Sequence, residues 1–140
     1  MRLPWILLAT TLAASPVFAK PTIYKCDVTA HGRTPEARSW LSEEVYIAVD
    51  RAAKQVAVLD KLIVYANDQK FLRVPFKTRS NGKLDLSWTL KDLPTGRNGS
   101  TSVSSRATFD DVNMRLSMTI SFQDTFDQPR GSGDCIVFER

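Results

Sequence analysis

Two stretches of this chain alternate apolar and polar residues without a break, and nothing else in the sequence constrains the fold as tightly. In LDLSWTLK, Leu84, Leu86, Trp88 and Leu90 share one face, while Asp85, Ser87, Thr89 and Lys91 share the other. In MRLSMTISFQ, Met114, Leu116, Met118, Ile120 and Phe122 oppose Arg115, Ser117, Thr119, Ser121 and Gln123. A period of two suits a strand buried on one side. The rule holds more loosely for Leu72, Val74 and Phe76, and for Val103, Ala107 and Phe109. Tyr24, Cys26 and Val28 make an inward row near the start, and Asp134 to Phe138 a short last strand. The pattern predicts an all-β chain: one antiparallel domain over residues 20–140, a meander barrel or sandwich of about eight short strands.

Turn chemistry sets the expected registers. Val45–Val49 and Val56–Val58 read as a hairpin turned through Arg51 to Lys54. A helical stripe through Val45, Ala48, Val49, Ala52, Val56 and Leu59 competes, but the β-branched content favours strands. A two-residue Asn81-Gly82 turn would set Arg79 opposite Leu84 and mix polar with apolar rows, which one-sided burial forbids. A three-residue loop, Ser80-Asn81-Gly82, instead pairs Arg79 with Lys83, Lys77 with Asp85, Phe76 with Leu86 and Val74 with Trp88, and gives Gly82 the left-handed position. The loop Asp110 to Asn113 is expected to pair Phe109 with Met114. Pro75 cannot donate to a ladder, which places its strand at an edge or opening. Longer turn-rich stretches cover Thr29–Ser39, Asp92–Ser100 and Asp124–Gly133.

The first 19 residues have the order of a secretory signal peptide: Arg2, the apolar run Trp5 to Ala14, the breakers Ser15 and Pro16, then Val17-Phe18-Ala19. The apolar run is short of the ~20 residues a membrane-spanning helix needs. Cleavage after Ala19 predicts a periplasmic or secreted protein starting at Lys20. In an oxidising compartment the two cysteines, Cys26 and Cys135, read as a disulfide joining the first and last strands.

The formal net charge is +4, but acidic and basic residues are interleaved, as in KTRSNGKLD, and no nucleic-acid stripe emerges. One histidine and no close cysteine pair argue against a metal centre, and no cofactor is expected. His31 has no Gly-x-Ser-x-Gly elbow to serve and reads as a solvated loop residue. Glu43-Glu44 point to opposite faces of a strand, and Asp110-Asp111 suit a turn. The candidate binding residues are Arg33, Trp40 and Arg97, placed by the long loops and of the types that most often anchor interfaces. Trp40 also fits a core position at the start of a strand, beside Leu41 and Val45.

The early Cys26, WLSEEVYIAVD with VAVLD, LSWTLKDL, SSRATF and the final GSGDC together resemble a poorly characterised group of small exported bacterial proteins. That group brings no established activity. Tyr24-Lys25-Cys26 also resembles the early Tyr-x-Cys of periplasmic lysozyme inhibitors, which are small β-barrels; their Ser-Gly loop has no counterpart here, since Ser132-Gly133 lies elsewhere. These likenesses and the residue pattern give one expectation: a non-enzymatic protein-binding or inhibitor-like module with an envelope protein as partner. A carrier of a small apolar ligand and a hydrolase with an unrecognised site are the alternatives. The large inward rows leave little room for a ligand, so activity is expected on the outer loops.

Overall fold

A computed structural model describes residues 20–32, 39–96, 98–123 and 128–139. Among these the strands are β1 (Thr22–Asp27), β2 (Thr29–His31), β3 (Glu44–Asp50), β4 (Gln55–Leu59), β5 (Leu72–Val74), β6 (Phe76–Thr78), β7 (Leu84–Pro94), β8 (Ser100–Asp110), β9 (Arg115–Phe122) and β10 (Arg130–Glu139). A short helix, α1 (Lys61–Ala66), follows β4. All pairings are antiparallel, in the order β5-β4-β3-β1-β10-β9-β8-β7-β6, with β2 also on β10.

The ten segments come from eight extended runs, because two runs bend and are cut in two. The first bend is at Val28. Cys26 faces Cys135 and Thr29 faces Ser132 in one unbroken register, so β1 and β2 are one strand lying along β10. The second bend is at Pro75. Leu72–Val74 pairs with β4, whereas Phe76–Thr78 pairs with β7. The two ends of the sheet path are therefore neighbours in the chain, joined through Pro75, and the sheet curls into a nearly closed barrel. The proline carbonyl still accepts from Ser87 N at 3.3 Å. The expected pairing of Val74 with Trp88 is thus corrected: beyond the corner, Val74 pairs with Val56.

The first bend depends on glycine. A methyl group placed on Gly133 would overlap the carbonyl oxygen of Asp27, and one on Gly131 would come within 2.7 Å of Val28 Cγ1. The alternating glycines of GSGDC let two backbones cross closely where the sheet turns its corner. Cys26 and Cys135 follow at once as a directly opposed pair and form the disulfide, closing a loop of 109 residues.

The hairpins follow their turn residues. Asp50 pairs with Gln55 around Arg51–Lys54, and Phe76–Leu86, Lys77–Asp85 and Thr78–Leu84 pair as the three-residue loop requires. Gly82 sits at φ +86°, and its N–H donates to Arg79 O at 2.9 Å. The β8–β9 turn is displaced by two from expectation: Phe109 pairs with Leu116 and Asp110 with Arg115. The Asp110 carboxylate accepts from the backbone N–H groups of Val112 and Asn113 and from the Asn113 amide, which stabilises a longer loop and leaves Met114 at φ 54°. The stretch Asp92–Ser100 is also shorter as a loop than expected. β7 continues to Pro94 through a bulge between Leu90 and Leu93, with Asp92 at φ 57°. Likewise β2 occupies the start of Thr29–Ser39, and β10 begins at Arg130 instead of Asp134.

The helix α1 was not expected, although Ser42–Val64 is otherwise a hairpin. Asp60 caps it, accepting from Ile63 N at 2.8 Å, and Ile63 is fully buried. The barrel interior is filled by Ile47, Leu86, Phe109, Leu116, Met118 and Ile120, all nearly inaccessible. Ser105 and Ala107 supply the small positions beside them, and Tyr24 lies on Phe109 with ring centroids 4.8 Å apart.

Candidate functional site

The two ends of the barrel differ. One carries three tight turns, Arg51–Lys54, Arg79–Lys83 and Asp111–Met114; the Arg51–Asp111 ion pair ties the first to the third, and Lys83 Nζ lies 3.9 Å from the Asp110 carboxylate. At the other end β2, β7 and β9 finish at His31, Pro94 and Phe122, while β8 and β10 start at Ser100 and Arg130. The topology therefore gathers the connections 32–43, 95–99 and 123–129 there. The helix α1 lies against β7 at this same end. Lys61 N donates to Ser42 Oγ at 2.8 Å, and the Lys61 ammonium donates to the Ser39 carbonyl. Burial lowers the Lys61 pKa, against the pull of Glu43 and Asp60.

Of the three loop candidates, Trp40 lies among the described residues, and it falls at this end. Trp40 is half-buried and packs edge-on against Phe122, with ring centroids 5.2 Å apart. It is packed at the margin of the core and also partly presented at the rim. Arg33 and Arg97 lie outside the described residues. The described strands that flank these positions, β2 on one side and β7 and β8 on the other, are separated in the sheet by β10 and β9.

The outward face of β7, β8, β9, β2 and the first half of β10 runs from this end. Register places Ser87, Arg106, Thr119, Arg130 and His31 in one row across β7, β8, β9, β10 and β2. The next row reads Lys77, Asp85, Thr108, Ser117, Ser132 and Thr29. A third holds Thr89, Ser104 and Ser121, with Thr89 and Ser104 hydroxyls 3.0 Å apart. The face is a field of short hydroxyls around a few cations.

Its single carboxylate in the first two rows is already engaged. Arg79 Nε donates to Asp85 Oδ2 at 2.7 Å, and Thr108 donates to Oδ1 at 3.0 Å. The Arg79 hydrogen bond holds the Asp85 carboxyl below the usual aspartate range. Arg106 and Arg130 are exposed, and neither guanidinium has a hydrogen-bond or ion-pair partner among the described residues. Two strand spacings separate them, on the order of 10 Å. A cleft of about 560 Å³ crosses the face, bounded by Phe76, Arg79, Ser87, Arg106 and Thr119.

His31 Nε2 lies 2.6 Å from Ser132 Oγ on this surface. The histidine is exposed on β2 and not in a loop. Among the described residues no carboxylate bonds its ring, so the pair lacks the third member of a triad. No three His, Cys, Asp or Glu side chains gather at one point among the described residues.

Arg106 and Arg130 were not singled out from the sequence. Alternation along SSRATF turns Arg106 outward, but Arg130 sits in a stretch rich in turn residues. Only the strand order β8-β9-β10 brings the two into one row. The chain matches no known protein family, no curated protein and no solved structure.

Proposed function

We propose that this chain is an exported, non-enzymatic binding module of the cell envelope, whose outward row of Arg106, Arg130 and His31, with the adjacent end loops, meets an acidic surface on a protein partner. The observation that carries the reading is the pair of unpartnered guanidinium groups on a hydroxyl-rich face with no free carboxylate beside them. Arginine is suited to planar, bidentate recognition of carboxylates, and the surrounding Ser and Thr add donors at little entropic cost. Export is supported by the order of residues 1–19 and by a disulfide of the kind that persists in oxidising compartments. No helix among the described residues is long and apolar enough to cross a membrane.

The test is capture from envelope extract with the immobilised protein, comparing wild type with the double variant Arg106→Glu, Arg130→Glu. Both positions are exposed, so the variant should melt within a few degrees of wild type while losing its partner. Equal capture by both proteins would remove the basic row from the account. The His31–Ser132 contact is what favours a hydrolase reading. Labelling of Ser132 by a phosphonate serine probe, lost in His31→Ala, would establish that reading in its place.

A further inference from the structure

We propose that the cleft on the outward face of β6, β7, β8 and β9 binds an acidic saccharide, a pyranose unit carrying a carboxylate, with Arg106 holding the acid group. The site is separate from the rest of the basic row, because Arg130 and His31 lie outside the cleft. Its volume of about 560 Å³ is within the usual range for small-molecule sites, and its lining is of three kinds. Exposed Pro75 and half-buried Phe76 form an apolar end at the corner where β5 passes into β6. Ser87, Ser117 and Thr119 supply hydroxyls. Lys77, Arg79 and Arg106 set three cations against one carboxylate, Asp85.

Strand register explains why Arg106 is available to a ligand. Its cross-strand neighbours are short hydroxyl residues, Ser87 on β7 and Thr119 on β9, and Ser104 and Thr108 stand two residues away on its own strand. The carboxylate nearest in register, Asp85 opposite Thr108, has both oxygens committed. Arg79 Nε donates to one at 2.7 Å and Thr108 Oγ1 to the other at 3.0 Å. Arg106 is thus exposed with no hydrogen-bond or ion-pair partner among the described residues, and the side-chain hydroxyls of Ser87, Ser117 and Thr119 have none there either.

The mixture of groups selects the ligand. A simple anion would engage the cations and leave the apolar end bare. An apolar ligand would strip water from guanidinium and hydroxyl groups and give them no partner in return. Arg and Lys only donate, whereas Ser and Thr hydroxyls both donate and accept, as the hydroxyls of a sugar do. A pyranose ring also has an apolar C–H face to lay on Pro75 and Phe76. A carboxylate on that ring presents two oxygens to the planar fork of Arg106. Ser87 and Thr119 flank Arg106 at one strand spacing each, ~5 Å, so a ring anchored there has a hydroxyl partner within reach on either side.

The experiment is a backbone-amide NMR titration of the oxidised protein with methyl glucuronoside, with methyl glucoside as the neutral sugar and acetate as the simple anion, at constant ionic strength. The uronoside should shift the amides of Ser87, Arg106 and Thr119 saturably and bind at least tenfold more tightly than either counterpart. Arg106→Gln should weaken it at least tenfold. Arg130→Gln should bind the sugar as wild type does, whatever it does to capture of a protein partner, so failure of one reading is distinguishable from failure of the other. The three ligands compared on wild type decide the matter even where a variant does not fold. Equal binding of acetate would make the cleft a general anion trap and overturn the proposal. Equal binding of the glucoside, no saturable shift at the cleft, or an Arg106→Gln protein of unchanged affinity would overturn it as well.

Discussion

Gly133 and Asp60 show how single residues hold this fold. Gly133 sits where β10 passes under the Asp27 carbonyl, so Gly133→Ala must push two backbones apart at the corner beside the disulfide. Overpacking of that kind costs about 2–3 kcal/mol, and urea unfolding of the oxidised protein should register it. Gly96 has open space around it but sits at φ +73°, so Gly96→Ala would carry left-handed backbone strain of about 1–2 kcal/mol without any overlap. Asp60 is a buried cap, and burial raises its pKa against the backbone N–H groups of Ile63 and Leu62 and the charge of Lys61. The folded chain therefore keeps this proton at pH values where the unfolded chain has released it, so Asp60 lowers stability as pH rises above the ordinary aspartate value. Asn also caps well and carries no charge. Asp60→Asn should thus gain stability relative to wild type as pH rises from about 3.5 towards neutrality, followed by thermal melts. Parallel curves for the two proteins would show that the carboxylate is not the source. Asp85 and Asp110 act in the opposite sense, since their depressed values make their contribution fade as pH falls.

At the scale of elements, the helix α1 and the hairpins separate what alternation reveals from what it hides. The β6–β7 register was legible because one alternative put Arg79 opposite Leu84, and burial on one face excludes that. The β8–β9 turn was legible in parity only. Phe109 keeps an apolar partner either way, so nothing in the pattern weighs Met114 against Leu116, and the Asp110 capping bonds decide. The helix was hidden because Leu62, Ile63 and Val64 are β-branched or apolar neighbours that also suit a strand. Asp60 at the cap was the available signal. Ile63 alone of its residues is fully buried, while Tyr65 is 66% exposed. Ile63→Ala should cost about 2–5 kcal/mol, whereas Tyr65→Ala should stay within about 0.5 kcal/mol. Equal losses would mean that the helix packs through another face. Of the candidate site, Trp40 was legible as an apolar residue beside a polar loop. The basic row was not, because it exists only after three strands are laid side by side.

For the whole molecule, the disulfide and the filled interior carry the argument. The Cys26–Cys135 bond links runs that begin and end the described barrel, and closing so long a loop stabilises by about 3–5 kcal/mol in the chain-entropy treatment. Cys26→Ser with Cys135→Ser should lose that amount in denaturant unfolding while keeping the strand content. The interior leaves the barrel little to carry. Trp88 is buried opposite Ser105, and its indole N–H has no hydrogen-bond acceptor among the described residues. The recognition role proposed above is accordingly assigned to the outside, on the hydroxyl-rich face and the end loops. Fluorescence titration of the oxidised protein with an apolar naphthalene sulfonate probe, read through Trp88 quenching and probe emission, tests that division most directly. The account predicts no saturable uptake below the concentrations at which such probes coat any protein surface, whereas tight one-to-one binding that quenches Trp88 would contradict it and return the barrel interior to the centre of the protein's function.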